Sequence, residues 1–420
     1  MERKLFELKI LFSYYIYIKH MKIKKETIEH FRQNKNLITE DLLDELRKTN
    51  EGKQIALEML DIDKDEELYY VDAFGNRISF NGNRKLKKPF TKFTLSDIHV
   101  KEIEKCSKSL TYFRDNYVKI KTPHGISFPD LREYQDKFLE EIDKDYDSYC
   151  VLFPRQSGKS ITTAIYLTYK FIFGNDFNIG ICANKGSMAR EFLNNVKNII
   201  LELPIWLQQG IKVWNKGSIE GENGMRVLTD VPSGDAFRGF TIALLVIDES
   251  AYIPTTKWQE FMDGIMPSQS SLSWKKNILL STANGMNHFY QIVKGARKRK
   301  ELLELTQDEV DELNKDDVLE VKENHDKTYN ITLNKPSNGY HLIEVDWREV
   351  PRYDAKGNIK DPEVFKQEIV DKYGIVYFNQ AYANCVSSDV NITVKDTLTG
   401  NIKVIPIGSF YESYRKKKCN

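Results

Sequence analysis

The stretch Phe153-Pro-Arg-Gln-Ser-Gly-Lys-Ser160 brings a flexible backbone, an ammonium and a hydroxyl together at consecutive positions. Binding a triphosphate calls for that combination: backbone N–H groups around a concavity, a glycine for close approach, a lysine for the β- and γ-phosphates and a hydroxyl for Mg2+. Gly158, Lys159 and Ser160 supply the last three, and Arg155, Gln156 and Ser157 complete the loop that would surround the phosphates. The glycine that usually opens such a loop, five positions before Gly158, is replaced by Phe153, so the loop departs from the common pattern. About ninety residues later the apolar run Leu244-Leu-Val-Ile ends in Asp248 and Glu249. Asp248 is suited to hold Mg2+ together with Ser160, and Glu249 to polarise an attacking water. The two stretches are the minimal equipment for hydrolysing a nucleoside triphosphate, read here as ATP with Mg2+. An isolated Gly-Lys-Ser is usually chance; here an apolar strand precedes it and an amphipathic helix, with Ile161, Ile165, Leu167 and Phe171, follows it.

Other side chains fit the same chemistry. Arg155, three residues before Gly158, is within reach of the γ-phosphate as charge develops in the transition state. Arg238, in Ser233-Gly-Asp-Ala-Phe-Arg-Gly239, is a second candidate for that task and reads equally well as an ordinary surface arginine. Ser281, Thr282 and Ala283 close the strand that should neighbour the acidic one, where hydroxyls would sense the γ-phosphate and pass its loss onward. Strands often end in Ser or Thr, so that signal has meaning only beside the others. Upstream, Leu131-Arg-Glu-Tyr-Gln135 offers Gln135, whose amide pairs with both a donor and an acceptor on an adenine edge.

Such residues need a scaffold that delivers them to one place. Residues 149–153, 177–183, 226–229, 243–247 and 277–282 read as buried strands, and 159–173, 185–203 and 256–266 as helices. The alternation predicts an α/β fold, a central mainly parallel sheet covered on both faces with its ligand at the carboxyl ends of the strands, and with the phosphate loop and the two acids it reads as a P-loop NTPase of the ASCE type. From Lys24 to about Leu60 apolar residues recur at helical spacing, as in an accessory helical layer. Residues 66–95 are basic, aromatic and punctuated by Gly75-Asn76 and Asn81-Gly82-Asn83, which suggests a β-hairpin or extended arm; a solvated hairpin is the commoner use of such a surface than contact with DNA. The run Lys294-Gly-Ala-Arg-Lys-Arg-Lys300 reads as a solvated helix with charged faces, and 321–350 as alternating strand-like sequence. These segments divide the chain into a leader over 1–20 ahead of a start at Met21, an accessory region over 21–105, a motor over 106–384 with a small lid subdomain beginning near 294, and a tail over 385–420.

Composition narrows the class without choosing a partner. With 420 residues, 41% apolar and 12% aromatic, the chain can build a sizeable core. Lys plus Arg (62) nearly cancels Asp plus Glu (61), so net charge is uninformative about nucleic acid. The cysteines at 106, 150, 182, 385 and 419 form no Cys-x-x-Cys pair and the seven histidines no metal-ligand spacing, consistent with a reducing compartment and no structural zinc. The apolar run from Ile10 to Ile18 is too short to span a bilayer, so no membrane association is expected.

In this order and spacing, Leu131-Arg-Glu-Tyr-Gln135, Arg155-Gln-Ser-Gly-Lys-Ser160, Phe237-Arg-Gly239, Ile247-Asp-Glu-Ser250 and Ser281-Thr-Ala-Asn-Gly285 with His288-Phe-Tyr290 resemble the large terminase subunit of tailed bacteriophages, over roughly residues 100–384. The resemblance implies an ATP-driven motor that packages double-stranded phage DNA into a procapsid through the portal protein, working with a small terminase subunit and as a homo-oligomeric ring, in the host cytoplasm. It also implies that Gln135 reads adenine, that Lys159 and Ser160 serve phosphate and Mg2+, that Glu249 is the catalytic carboxylate and that Ser281–Ala283 is the coupling motif; Ala283 departs from the Pro or Thr often found there. The family's nuclease domain has no counterpart in the residues after Asn384, so packaging without cutting is expected. Those residues, from Cys385-Val-Ser-Ser-Asp389, resemble the start of an intein, in which a leading Cys385 attacks the preceding carbonyl. Val390 replaces the usual Thr and no His follows His341, so splicing would need a complementary intein and nuclease fragment. A helicase-type translocase is the main alternative, disfavoured because no second set of motor motifs follows Tyr290. A nucleotide-binding scaffold without turnover is the other, against which Lys159, Asp248 and Glu249 all speak.

Overall fold

The structure is a computed structural model that describes residues 25–61, 79–92, 95–297, 299–306, 310, 318–324, 328–335, 338–354, 357–375, 378, 391–395 and 402–406. The proposed leader over 1–20, Cys385 and the junction after Asn384 lie outside the described residues.

Three helices, α1 (Lys25–Gln33), α2 (Glu40–Leu46) and α3 (Asn50–Leu60), occupy the stretch where apolar residues recur at helical spacing. Thr39 and Thr49 begin α2 and α3, each accepting a backbone N–H from the first turn. Of the arm, β1 (Ser79–Phe80) and β2 (Asn83–Lys87) pair as a short antiparallel hairpin around Asn81-Gly82. Helices α4 (Asp97–Lys108) and α5 (Leu110–Tyr117) follow, then a hairpin of β3 (Ile120–Thr122) and β4 (Gly125–Ser127). The layer is pinned by a buried polar cluster. Arg47 Nη2 lies 2.8 Å from Glu102 Oε2 on α4, and the hydroxyls of Tyr112 and Tyr117 on α5 each accept from Arg47 and donate to Glu102. Burial alone would raise the Glu102 pKa; Arg47 and the two hydroxyls outweigh it and hold the carboxyl below its usual value.

The central part of the chain is built on α6 (Glu133–Asp143), β5 (Ser148–Leu152), α7 (Lys159–Phe173), β6 (Asn178–Ala183), α8 (Gly186–Glu202), β7 (Ile211–Trp214), β8 (Ser218–Gly221), β9 (Arg226–Asp230), β10 (Ile242–Asp248), α9 (Thr255–Gln269), β11 (Lys276–Ser281) and α10 (His288–Ala296). Beyond it come β12 (Arg299–Leu305), β13 (Val318–Glu323), β14 (Tyr329–Lys335), β15 (His341–Glu344), α11 (Pro362–Tyr373), β16 (Asn391–Lys395) and β17 (Ile402–Pro406). The central sheet runs β15-β5-β11-β10-β6-β9-β8-β7; from β15 to β9 every neighbour is parallel, and β8 and β7 add an antiparallel edge.

Alternation along the strands covers both faces of this sheet. Tyr149, Val151, Leu244, Val246, Ile278 and Leu280 pack in one core with α6, α7 and α8. Their neighbours Cys150, Leu152, Leu245, Ile247 and Leu279 pack in a second core with Trp258, Phe261 and Ile265 of α9 and Phe289 and Val293 of α10. Each fully buried Leu, Ile or Val contributes about 1.5–3 kcal/mol, and close packing of helices on both faces holds the strands in place. The covered, mainly parallel α/β sheet expected from the alternation of strands and helices is thus the one observed.

One expectation is corrected. The basic run at 294–300 is not a solvated helix: α10 ends at Ala296, and residues 299–305 form β12, paired with β14 from Arg299↔Lys335 to Leu305↔Tyr329 in a three-stranded antiparallel sheet of order β12-β14-β13. Ladder hydrogen bonds outweigh a charge pattern that suits either a helix or an edge strand. This small sheet occupies the region expected to form a lid, after which the chain returns to the main sheet as β15, beside β5. The strands β16 and β17 form an antiparallel pair. Among the described residues no helix is long and apolar enough to cross a membrane.

Candidate nucleotide-binding site

The loop after β5, the acids ending β10 and the hydroxyls ending β11 all lie at the carboxyl ends of parallel strands, where open α/β sheets bind ligands. Phe153, in the place of the usual opening glycine, is fully buried, with its ring 5.9 Å from Tyr134 and 5.1 Å from Phe138 on α6. Its N–H donates to the Ser281 carbonyl at 3.1 Å. The aromatic ring therefore anchors the root of the loop in the core. Gln156 (φ 61°) and Gly158 (φ 79°) take left-handed conformations that shape the concavity. A Cβ on Gly158 would lie 2.3 Å from Gln135 Nε2 and push that amide aside, and at φ 79° any L side chain would be strained.

Gln135 is 6% exposed and holds the loop from behind. Its Nε2 donates to Ser157 O at 3.2 Å and Thr162 Oγ1 at 3.3 Å, and its Oε1 accepts the Arg132 N–H at 3.0 Å. Tyr134 adds a hydroxyl bond to the same Ser157 carbonyl at 2.9 Å. Both ends of the Gln135 amide are thus engaged, and an adenine edge would have to displace these partners.

Lys159 and Ser160 open α7 and meet the acids in turn. Lys159 Nζ lies 2.7 Å from Glu249 Oε1, and Ser160 Oγ donates to Asp248 Oδ2 at 3.2 Å. Glu249 has φ 52°, a strained left-handed conformation for a non-glycine residue, imposed at the turn from β10 into the 3-10 turn Ser250–Tyr252. Its Oε2 is buried and has no hydrogen-bond partner among the described residues. Burial raises the Asp248 pKa, Lys159 lowers it and Glu249 raises it again, leaving it above the ordinary range. A hydroxyl beside a buried carboxylate is an oxygen donor set of the kind Mg2+ takes, so the residues fit that ion. Away from this pair, no group of three or more His, Cys, Asp or Glu suited to a metal occurs among the described residues.

The segment after Glu249 is stapled to the end of β11. Ser281 Oγ accepts the Ala251 N–H at 3.1 Å, and Ser250 Oγ donates to Leu280 O at 3.2 Å. Asn284 and Asn287 both donate to the Ala251 carbonyl, at 3.0 and 2.5 Å. His288 stacks on Trp258 at 4.5 Å and donates from Nε2 to Ser250 O at 3.0 Å; burial lowers its pKa against the pull of that carbonyl, which favours the neutral Nε2–H tautomer. Ala283 offers no side-chain polar group, so Ser281 and Thr282 carry the hydroxyls of the predicted coupling stretch.

The three arginines differ. Arg155 donates from Nη2 to Tyr252 OH at 3.1 Å. Arg238 is not brought to this cluster: its side chain is 81% exposed and, of the described residues, bonds Asp235 at 3.1 Å. The cause is the left-handed pair Phe237 (φ 56°) and Gly239 (φ 85°), which buries Phe237 and turns Arg238 outward. Arg352 was not predicted. It donates to Arg155 O at 2.9 Å and Gln156 Oε1 at 3.3 Å, from a segment nearly two hundred residues away with no recognisable spacing.

The profile of the family described as "Terminase large subunit, T4likevirus-type, N-terminal" matches residues 150–394. Among solved structures, the chain is similar to the large terminase ATPase domain of Thermus phage P74-26, at 16% identity over 59% of this chain and 96% of that one, with a TM-score of 0.41. It is similar to the large terminase of bacteriophage HK97 at 12% identity over 66% of this chain and 55% of that one, TM-score 0.47. For the large terminase of a thermophilic bacteriophage solved with ADP the values are 14%, 62% and 55%, TM-score 0.40. The chain thus spans about half the length of the last two.

Proposed function

The chain belongs to the T4-like family of terminase large subunits, and from that premise we propose that it is the ATP-hydrolysing subunit of a motor that drives double-stranded phage DNA into a procapsid. The observation that carries this reading is the meeting of the loop and the acids, Lys159 with Glu249 at 2.7 Å and Ser160 with Asp248 at 3.2 Å. In this account the loop N–H groups and Lys159 bind the β- and γ-phosphates, and Ser160 and Asp248 hold Mg2+. The ion, when bound, neutralises charge between the phosphates. Glu249 accepts a proton from water through Oε2 as the water oxygen bonds to the γ-phosphorus and ADP departs. Arg155 stabilises the charge that builds on the transferring group, while the outward Arg238 is better suited to the surface. Gln135 positions the loop, and adenine recognition by its amide remains a secondary task. Ser281 and Thr282 pass the state of the γ-phosphate to α10 and the lid.

The partners proposed are DNA, the portal protein, a small terminase subunit and further copies of this chain in a ring, met in the host cytoplasm at the procapsid. Purified chain with MgATP should release phosphate faster when double-stranded DNA and portal are added. Release that is insensitive to both would remove the packaging reading.

For the tail we propose separately that Cys385 begins a splicing segment. Pairing of β16 with β17 supports a β unit just beyond it, whereas the family match to residue 394 crosses the junction and counts against a boundary at Asn384. Mass spectrometry after mixing with a complementary fragment should reveal a ligated product that Cys385→Ala abolishes; a product that survives the substitution rules the segment out.

A further inference from the structure

Arg155 and Thr282 stand on different loops, and one side chain joins them. Tyr252, at the end of the 3-10 turn that follows Glu249, takes a hydrogen bond from Arg155 Nη2 at 3.1 Å and bonds Thr282 Oγ1 at 3.1 Å. Because the guanidinium can only donate, the tyrosine hydroxyl accepts from Arg155 and is free to donate to Thr282. Three elements converge on this one oxygen: the phosphate loop, the turn carrying the catalytic carboxylate and the end of β11. The backbone of the turn is held independently, through Ala251 to Ser281, Asn284 and Asn287. The phenol is therefore positioned by its surroundings and not by its own two bonds.

We propose that Tyr252 is a positioning residue that aims Arg155 and reports its movement to Thr282. While Arg155 bonds Tyr252, the hydroxyl links loop and β11. The guanidinium has five N–H donors, so Arg155 keeps its Nη2 bond to Tyr252 while its other N–H groups turn to phosphate oxygen, and the shift of the guanidinium is felt at the hydroxyl that faces Thr282. The position of one guanidinium is in this way made visible at the strand end that leads to α10. Tyr252 touches neither phosphate nor water in this scheme and acts through Arg155.

The inference rests on the ATPase reading, and the experiment separates the two. Steady-state phosphate release and nucleotide affinity are measured for the full chain, Tyr252→Phe, Thr282→Val, Arg155→Ala and the double variant Tyr252→Phe/Arg155→Ala, with melting temperature as a check on folding. Tyr252→Phe keeps the ring and should fold as the parent does. Its kcat should fall about tenfold, the size expected for losing one hydrogen bond to a charged group, with KM unchanged. Thr282→Val should give a smaller loss of the same kind, and the double variant should be no slower than Arg155→Ala alone. Losses that multiply in the double variant, or a Tyr252→Phe enzyme as fast as the parent, overturn the relay while leaving the ATPase standing. A parent chain that releases no phosphate overturns the ATPase reading itself, and the relay with it.

Discussion

Glu249→Gln should bind ATP as well as the parent chain, or somewhat better, and hydrolyse it about 10²- to 10⁴-fold more slowly, the range lost when a general base is removed. Glu249 Oε1 is engaged by Lys159 at 2.7 Å, which leaves Oε2, buried and without a partner among the described residues, as the oxygen able to take a proton from water. An amide in its place keeps the shape but cannot accept that proton. It also removes the carboxylate that competes with phosphate for Lys159, hence the undiminished or increased affinity. Radiolabelled ATP binding and single-turnover phosphate release on the same sample read both quantities. Turnover within about tenfold of the parent would assign the base to another residue.

Arg47→Ala should destabilise the helical layer by about 3–5 kcal/mol, the cost of leaving a buried charge without its partner. Glu102 is fully buried and is held ionised by Arg47 and two tyrosine hydroxyls. Without the guanidinium it must either stay charged at high cost or take up a proton. Urea unfolding followed by helical circular dichroism measures the loss. The cluster also fixes a pH dependence. Since the folded-state pKa of Glu102 lies below its unfolded value of 4.5, its contribution to stability is fully present above that pH and is lost as the pH falls through the folded value. The parent should therefore lose stability below about pH 4.5 more steeply than Arg47→Ala, in which that linkage is gone.

Much of this architecture was legible because the core strands are short, apolar on both faces and bounded by turn residues. The helix starting at Lys159 and the strand ending at Asp248 follow directly from such runs, and so do the candidate residues they deliver. What escaped notice depends on distance or on competition between patterns. Arg352 reaches the loop from the segment that follows β15 in the chain, and no local spacing announces it. The Ile211–Gly221 hairpin alternates too briefly to stand out from loop. At 299–305 the basic residues hid a strand whose partner lies thirty residues on. The hydrogen-bonding capacity of the Gln135 amide is legible in the sequence, but which partners it takes is decided by packing beneath the loop. The place of Arg238 before the acidic strand suggests a part in the site, yet two left-handed residues turn it outward.

The central claim is that the loop at 153–160 and the acids at 248–249 form one hydrolytic site. Phosphate release from MgATP by the parent chain and by Lys159→Ala, at saturating nucleotide, tests it most directly. The parent should release phosphate steadily and the variant at least about a hundredfold more slowly, since the lysine ammonium stabilises the negative charge that grows on the transferring phosphoryl group. Equal rates for the two, or no release by the parent with DNA and portal present, would contradict it.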